Sequence, residues 1–267
     1  MRFHSLAVAL ALVISRPLMA QVLYIGGTTY TQNFDTLANS PTNTNIDWTD
    51  NVTLLGWYEQ KSSGTTSGTY RAGNGSSNAG QLWSYGADGS TERALGSLAS
   101  NGTSDIYWGV RIRNNHASWT LTSFTVSYTM EQWRSGKTTS ETTYFEYKLS
   151  NTETDINGTG YTGVSAGDLV AINLSSSGAL NGNDPANQQT ISFTVTGINW
   201  APGSDLWLRW RDPNDPSNDH GLAIDNFSFA AVPEPTTFVL VGLGMGAAGF
   251  VTRRFRREPR LDPSAIA

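Results

Sequence analysis

Apolar and polar residues alternate in several short stretches of this 267-residue chain. In residues 123–130, every second position is apolar, and Ser or Thr fills the positions between them. Residues 106–113, 145–149 and 191–195 repeat the same two-residue period. Such a period places one face of a strand on a core and the other face in water. The pattern therefore predicts a series of half-buried β-strands.

Turn-forming clusters separate these stretches. Asn and Gly dominate residues 73–76, 101–103, 157–160 and 181–183, and Asn-Gly steps adopt the positive φ that tight turns require. We find no amphipathic helical pattern of ten residues or more between residues 21 and 231. Many short strands at this spacing predict an all-β fold, a jelly-roll-like two-sheet β-sandwich formed by residues 21–231 as one domain.

The first twenty residues have the layout of a secretory signal peptide. Arg2 precedes an apolar run over residues 6–14, and Ala20 provides a small residue at the expected cleavage position. Nine apolar residues are too few to span a bilayer, so we expect a cleaved leader at residues 1–20 rather than an anchor. The predicted partners of this segment are the Sec export machinery and signal peptidase.

A second apolar run lies near the other end of the chain. Residues 236–252 contain no charged side chain, and seventeen residues of helix span about 25 Å, slightly less than the hydrocarbon core of a bilayer. A basic cluster follows at once, formed by Arg253, Arg254, Arg256 and Arg257. Under the positive-inside rule these arginines stay cytoplasmic. This predicts one transmembrane helix, with the preceding domain translocated; a plain membrane anchor is the alternative.

Val232, Pro233, Glu234 and Pro235 immediately precede this apolar run. A Pro-Glu-Pro turn, a Gly-rich span and an arginine cluster in that order resemble the PEP-CTERM sorting signal of Gram-negative bacteria, here over residues 232–257. The resemblance implies that an exosortase-type membrane peptidase acts at the Pro-Glu-Pro tripeptide and that the domain passes from a transient single-pass membrane form to the cell surface or medium. Residues 258–267 form a short tail, longer than is usual in that family.

The predicted domain is acidic and contains no cysteine. Residues 21–231 carry ten basic and nineteen acidic side chains, a net charge of about −9. This charge argues against nucleic acid as a partner, because nucleic-acid binding needs clustered cations. The absence of cysteine excludes disulfides and thiolate metal sites.

Several stretches also resemble a module found in secreted bacterial proteins, either alone with sorting tails or attached to extracellular nucleases and phosphatases. These stretches are residues 84–86, 92–96, 128–134, 179–183, 206–212 and 220–227. The resemblance implies a β-sandwich located outside the cell and implies no particular chemistry.

The candidate catalytic residues are few. His116 and His220 are the histidines outside the predicted leader, and no nucleophile elbow, zinc-binding helix motif or phosphate-binding glycine loop accompanies them. We expect His220 and Asp225 to be hydrogen-bonding turn residues that close the last strand, residues 222–229. Glu131 and Glu146 could form a glycosidase pair, but we favour an ion pair of Glu131 with Arg93 or Arg134. The chain is therefore predicted not to be an enzyme.

One acidic loop is a candidate calcium site. Asp212, Asn214, Asp215 and Asp219 lie in a segment stiffened by two prolines, and Ca²⁺ binds six to eight such oxygen ligands. The spacing does not match an EF-hand. The alternative is a solvated loop with Asx turns.

Nine tryptophans fall within residues 21–231. Trp207, Arg209 and Arg211 share one face of a predicted strand, and an exposed aromatic ring flanked by arginines suits a sugar. The alternative is that most of the tryptophans fill the sandwich interior.

Together these features predict an exported surface or matrix protein with a structural or adhesive β-sandwich. A carbohydrate-binding module for exopolysaccharide is the alternative, and a secreted hydrolase is a third hypothesis.

Overall fold

The computed structural model describes residues 22–24, 28–63 and 67–233. The predicted signal peptide, transmembrane helix, arginine cluster and tail lie outside these residues. Within them the regular structure is β-strand, apart from single 3₁₀ turns at Ser165–Gly167 and Pro185–Asn187. None of the described helices is long and apolar enough to cross a membrane.

The strands, in chain order, are β1 (Val22–Tyr24), β2 (Tyr30–Gln32), β3 (Ile46–Asp47), β4 (Trp57–Lys61), β5 (Thr69–Gly73), β6 (Gln81–Tyr85), β7 (Ala94–Leu98), β8 (Ile106–Asn114), β9 (Leu121–Ser135), β10 (Thr142–Leu149), β11 (Thr162–Gly163), β12 (Leu169–Val170), β13 (Gly178–Ala179), β14 (Gln188–Trp200), β15 (Asp205–Asp212) and β16 (Gly221–Pro233).

The strands form two sheets. The seven-stranded sheet has the order β1-β8-β15-β10-β11, with β4 also paired to β8 and β12 to β10. The nine-stranded sheet has the order β13-β9-β16-β7-β6-β5-β3, with β14 also paired to β9 and β2 to β16. Most pairs are antiparallel, but β1–β8 and β5–β6 are parallel. The all-β, two-sheet prediction is confirmed.

Aromatic side chains from both sheets meet in the core. Trp210 of β15 stacks on Trp108 at a centroid distance of 4.9 Å and on Trp57 at 6.2 Å. Tyr128 and Phe227 of the nine-stranded sheet contact the same indole edge to face. Offset and edge-to-face contacts of this kind stabilise aromatic clusters beyond the burial of area alone.

The alternation in the sequence reproduces the core-facing positions of β9. Phe124, Val126, Tyr128 and Met130 are all buried within the main core. From Met130 onward the pattern fails, because residues on both faces of the strand are buried.

Two smaller apolar clusters explain this failure, since they cover the outer faces of the sheets. On the nine-stranded sheet, Trp83, Tyr85 and Trp133 stack in a row with Ala94, Leu98 and Ala223 beside them. On the seven-stranded sheet, Trp207 packs with Tyr58 and Ile156. Eight of the nine tryptophans are buried, and Trp119 is 51% exposed. The interior role expected for most tryptophans is therefore confirmed.

Candidate functional site

The predicted calcium loop surrounds a lysine. Lys137 Nζ lies 3.0 Å from Glu141, 3.3 Å from Asp215 and 3.6 Å from Asp219. The ammonium group thus sits among three carboxylates, two of which are buried. Burial, with the nearby Glu141 carboxylate as the next cause, raises the pKa of Asp219 to about 7.

The other two residues of the calcium prediction point elsewhere. The Asn214 side-chain amide donates to Asn101 Oδ1 at 3.0 Å. Asp212 is 1% exposed and accepts a hydrogen bond from Thr143 Oγ1. The structure brings Asp215 and Asp219 together around Lys137 and does not gather all four predicted residues around one point.

The histidine of the same region is held by hydrogen bonds on both ring nitrogens. His220 Nδ1 lies 3.1 Å from Gln132 Nε2 and 3.3 Å from the Gly136 amide, and Nε2 lies 2.9 Å from the Thr139 carbonyl. A ring that accepts at Nδ1 and donates at Nε2 is a neutral imidazole fixed in one tautomer. This arrangement anchors residues 136–139 to the start of β16.

The prediction of a stacking ring at Trp207 requires correction. Trp207 shares a face of β15 with Arg209 and Arg211, as expected, but its indole is fully buried beneath Tyr58. The segment between β10 and β11 covers this face because Ile156 joins the same cluster. The ring therefore offers no exposed surface for a sugar.

The two arginines of that face have protein partners. Arg209 is 6% exposed, donates to Glu146 Oε2 at 2.7 Å and lies over the Tyr161 ring at 3.6 Å. Arg211 lies 3.5 Å from Asp105 and 3.6 Å from Glu146. Sugar binding by Arg209 and Arg211 stays a prediction.

Glu131 and Glu146 lie on different sheets. Glu146 belongs to β10 of the seven-stranded sheet and pairs with the two arginines. Glu131 belongs to β9 of the nine-stranded sheet and accepts a hydrogen bond from Trp133 Nε1 at 2.8 Å. The ion pair expected between Glu131 and Arg93 or Arg134 is absent from the described part of the chain. The Arg93 guanidinium instead donates to Ser84 Oγ at 2.8 Å and to the Ser84 carbonyl.

A cluster of three carboxylates is the candidate site that the sequence did not reveal. Glu92, Glu131 and Asp225 each place an oxygen within 4.8 Å of the others. Glu131 is 2% exposed and Asp225 is 6% exposed, whereas Glu92 is half-buried. We call this set the carboxylate cluster; it lies on the outer face of the nine-stranded sheet beside Trp133.

A β-bulge in β16 positions Asp225 in the cluster. Asp225 pairs with Thr129 and Ser228 pairs with Ser127, so β16 has one residue more than β9 over this interval. Asn226 adopts a φ of 51° at the bulge. Bulges of this kind re-aim side chains and disrupt the ladder locally. The core positions therefore change from Leu222 and Ile224 to Phe227 and Phe229, and Asp225 stays on the outer face.

The electrostatics of the carboxylate cluster are unfavourable without a counter-charge. Burial, followed by the repulsion of Glu92, raises the pKa of Glu131 to about 8 even though Trp133 donates to it. Burial raises the pKa of Asp225 to about 7. Asp225 Oδ1 is buried and has no hydrogen-bond partner among the described residues.

One sequence signal pointed to this bulge. Residues 224–227 read apolar, polar, polar, apolar, which breaks the two-residue period within an otherwise regular strand. The three carboxylates are far apart in the sequence, and only the sheet topology brings them together.

Trp119 is the exposed tryptophan of the described residues, and it stacks on His116 at a centroid distance of 4.0 Å and an interplanar angle of 18°. Both residues lie in the connection between β8 and β9. This pair is the one place where a tryptophan face lies at the described surface.

No curated protein matches this chain. Among solved structures, the chain is similar to the CBM22-1 xylan-binding domain of Xyn10C from Paenibacillus barcinonensis, with 9% identity and a TM-score of 0.37 over 79% of this chain and 98% of that one. It is also similar to the K3 cleaved adhesin domain of Lys-gingipain from Porphyromonas gingivalis, with 14% identity and a TM-score of 0.37 over 71% and 99% of the two chains.

A third similarity is to the enzymatically active domain of tailspike protein 4 of bacteriophage CBA120, with 8% identity and a TM-score of 0.36. It covers 66% of this chain and spans 19% of the tailspike chain. All three TM-scores lie below 0.5.

Residues 231–257 match the PEP-CTERM protein-sorting motif. The match includes the Pro-Glu-Pro tripeptide, the apolar run and the arginine cluster identified in the sequence. The motif implies export to the envelope or surface of a Gram-negative bacterium. The chain is an exported surface protein that carries a PEP-CTERM sorting signal on a β-sandwich.

Proposed function

We propose that this chain is an exosortase substrate whose β-sandwich serves as a non-catalytic structural or adhesive module at the cell surface or in the extracellular matrix. The observation that carries the proposal is the sorting motif at residues 231–257, which continues directly from strand β16. In this proposal the Sec machinery exports the chain and signal peptidase removes residues 1–20.

The same proposal assigns the remaining steps to the C-terminal segment. Residues 236–252 hold the exported chain in the inner membrane as a transient single-pass form, and the arginine cluster keeps its end in the cytoplasm. The exosortase-type peptidase then cleaves at the Pro-Glu-Pro tripeptide and releases the sandwich from the membrane.

The experiment follows the chain in its native host. Replacing Pro233 and Glu234 together by Ala is expected to leave the domain in the membrane fraction, whereas wild type reaches the surface or medium. A matched control replaces Pro216 and Asn218 by Ala, because both are exposed residues of the loop between β15 and β16. Equal release of the Pro233/Glu234 variant and wild type would refute the proposal.

A non-catalytic role is supported by the placement of the candidate catalytic residues. Both nitrogens of His220 are hydrogen-bonded to neighbouring groups, and Glu131 and Glu146 lie on different sheets. We expect the exported protein to be inactive in glycosidase and esterase screens; reproducible turnover lost in a Glu131→Gln variant would contradict this role.

Exopolysaccharide binding is the second candidate function, and the exposed Trp119–His116 pair favours it. A flat indole face accommodates the C–H face of a sugar ring. In pull-downs with host exopolysaccharide, Trp119→Ala is expected to reduce retention at least tenfold. The control is Tyr144→Ala, because Tyr144 is 40% exposed but lies under Arg211 on another face. Equal retention of wild type and Trp119→Ala would exclude this binding site.

A further inference from the structure

Two buried carboxylates face each other in the carboxylate cluster without a cation. Glu131 and Asp225 lie side by side on β9 and β16, since Ala223 pairs with Glu131 and Asp225 with Thr129. No Lys or Arg within residues 22–24, 28–63 and 67–233 forms an ion pair with Glu92, Glu131 or Asp225. Burying an isolated charge of this kind is unfavourable in free energy, so buried charges in proteins are paired or coordinate a metal.

The hydrogen bonds in the cluster leave oxygens available. Trp133 Nε1 donates to Glu131 Oε2 at 2.8 Å, and Asn183 Nδ2 donates to Glu92 Oε2 at 2.5 Å. Asn226 Nδ2 donates to Asp225 Oδ2 at 2.6 Å. The other oxygen of this carboxylate, Asp225 Oδ1, is buried without a partner in a residue that is only 6% exposed. This oxygen belongs to the carboxylate that faces Glu92 and Glu131.

We propose that Glu92, Glu131 and Asp225 bind a Ca²⁺ ion on the outer face of the nine-stranded sheet. Ca²⁺ binds oxygen ligands at 2.3 to 2.6 Å, so its ligands lie on a sphere about 5 Å across, and the three carboxylates fall within 4.8 Å of one another. Glu92 is half-buried, so solvent reaches the site from its side and water completes the coordination.

Calcium fits this geometry better than magnesium. Mg²⁺ requires near-ideal octahedral geometry at 2.0 to 2.1 Å and gives up its water reluctantly. The two buried ligands come from neighbouring strands of a sheet, which cannot approach each other further. Calcium sites of extracellular modules have dissociation constants of about 10⁻⁴ to 10⁻³ M, a range that suits an exported protein.

The site also has a structural role. The ion neutralises carboxylates from β9, β16 and the segment before β7. It lies beside Trp133, which donates to Glu131 and stacks on Tyr85. Calcium therefore stabilises the packing of Trp83, Tyr85 and Trp133 on the outer face of the nine-stranded sheet. The inference goes beyond the sorting function and does not depend on it.

The test uses the full chain in detergent, treated with EDTA and exchanged into calcium-free buffer at pH 7.5. Calorimetric titration with CaCl₂ is expected to give one site per chain. At a calcium concentration one hundred times the dissociation constant, the Tm is expected to rise by about 5 to 10 °C. Titration with MgCl₂ at the same concentrations is expected to give a much smaller rise.

Glu131→Gln and Asp225→Asn are expected to abolish this calcium-dependent rise. Both keep the shape of the side chain and remove a buried charge, so in EDTA each variant is expected to melt at or above the wild-type temperature, which shows that it folds. Asp215→Asn is the matched control, because Asp215 belongs to the acidic loop around Lys137, and it is expected to respond to calcium as wild type does.

Four results would overturn the proposal. They are no calcium-dependent rise in wild type, a full rise in both Glu131→Gln and Asp225→Asn, loss of the rise in Asp215→Asn, and an equal response to Mg²⁺.

Discussion

Glu131 is the most deeply buried member of the carboxylate cluster. Its carboxyl is 2% exposed and has Trp133 Nε1 as its donor. Burial therefore dominates and raises the pKa of Glu131 to about 8, against about 4.3 in an unfolded chain. A proton or a cation must neutralise this group in the folded protein.

The first prediction concerns the pH dependence of stability without calcium. Between pH 4 and pH 8 the unfolded chain releases the Glu131 proton while the folded protein retains it, so the folded state loses stability as the pH rises. The loss is absent below about pH 4 and complete above about pH 8. Glu131→Gln removes it. In EDTA, the free energy of unfolding of this variant relative to wild type is expected to increase by roughly 2 to 4 kcal/mol from pH 4 to pH 8.

Urea unfolding across this pH range measures that difference. Glu92 and Asp225 face Glu131 and remain in the variant, so the difference reports the Glu131 carboxyl together with its repulsion of these two groups. Asp88→Asn replaces an exposed carboxylate and is expected to follow the wild-type curve. A constant difference between Glu131→Gln and wild type from pH 4 to pH 8 would contradict the prediction.

At the scale of the strand, periodicity identified core positions and missed what covers the outer faces. Phe124, Val126 and Tyr128 were correctly placed on the core because β9 has a solvated outer face over that interval. Trp207 was wrongly expected to be exposed, because period-two patterns report which side of a strand a residue occupies and not what packs there. The covering segments, such as the one containing Ile156, follow from tertiary structure.

Close approach of neighbouring strands provides the second prediction. Gly109 of β8 lies opposite Arg209 of β15, and a Cβ at this position would overlap the Leu208 carbonyl oxygen. The backbone of a central strand cannot move aside to relieve this overlap, whereas a flexible side chain could. Gly109→Ala is therefore expected to lower the free energy of unfolding by about 1 to 3 kcal/mol.

Gly163→Ala is the matched control, since a Cβ built at this position in β11 has no heavy atom within 4 Å outside Gly163 and its two chain neighbours. Its expected effect is within about 0.5 kcal/mol. Urea unfolding followed by tryptophan fluorescence measures both variants. Equal losses of unfolding free energy in the two variants would show that overlap with the Leu208 backbone is not what destabilises Gly109→Ala.

For the whole molecule, the sorting segment could be recognised from sequence and the carboxylate cluster could not. Residues 231–257 form a contiguous pattern of turn, apolar run and arginines. The order of residues along the chain is therefore enough to identify the motif. The cluster joins Glu92, Glu131 and Asp225 from separate parts of the chain. Its formation depends on a one-residue bulge, which the broken period at residues 224–227 marks, and on the β7-β16-β9 neighbourhood, which no local pattern specifies.

The junction between the sandwich and the sorting motif leads to the last prediction. Strand β16 extends to Pro233, which pairs with Leu121, and the Ala231 amide and carbonyl both bond the Tyr24 hydroxyl, at 2.8 and 2.6 Å. The proposed processing site therefore begins where the sheet ends. Two residues separate Pro233 from the predicted span, and these reach about 7 Å when extended. In the proposed function, the peptidase must bind a tripeptide whose first residue is still paired with β9. Strand pairing is therefore expected to slow cleavage.

Inserting Gly-Ser-Gly-Ser-Gly-Ser between Val232 and Pro233 separates the tripeptide from the sheet, and a flexible linker of six residues adds about 13 Å of average reach. Pulse-chase labelling in the native host is expected to show processing at least twofold faster than in wild type. The same insertion after Gly160, an exposed loop residue with open space around it, tests for general effects on folding and is expected to leave the rate unchanged. If the junction insertion leaves processing equal or slower while the Gly160 insertion behaves as wild type, release of the strand end does not limit cleavage, and the peptidase instead requires the folded edge of the sandwich beside its substrate.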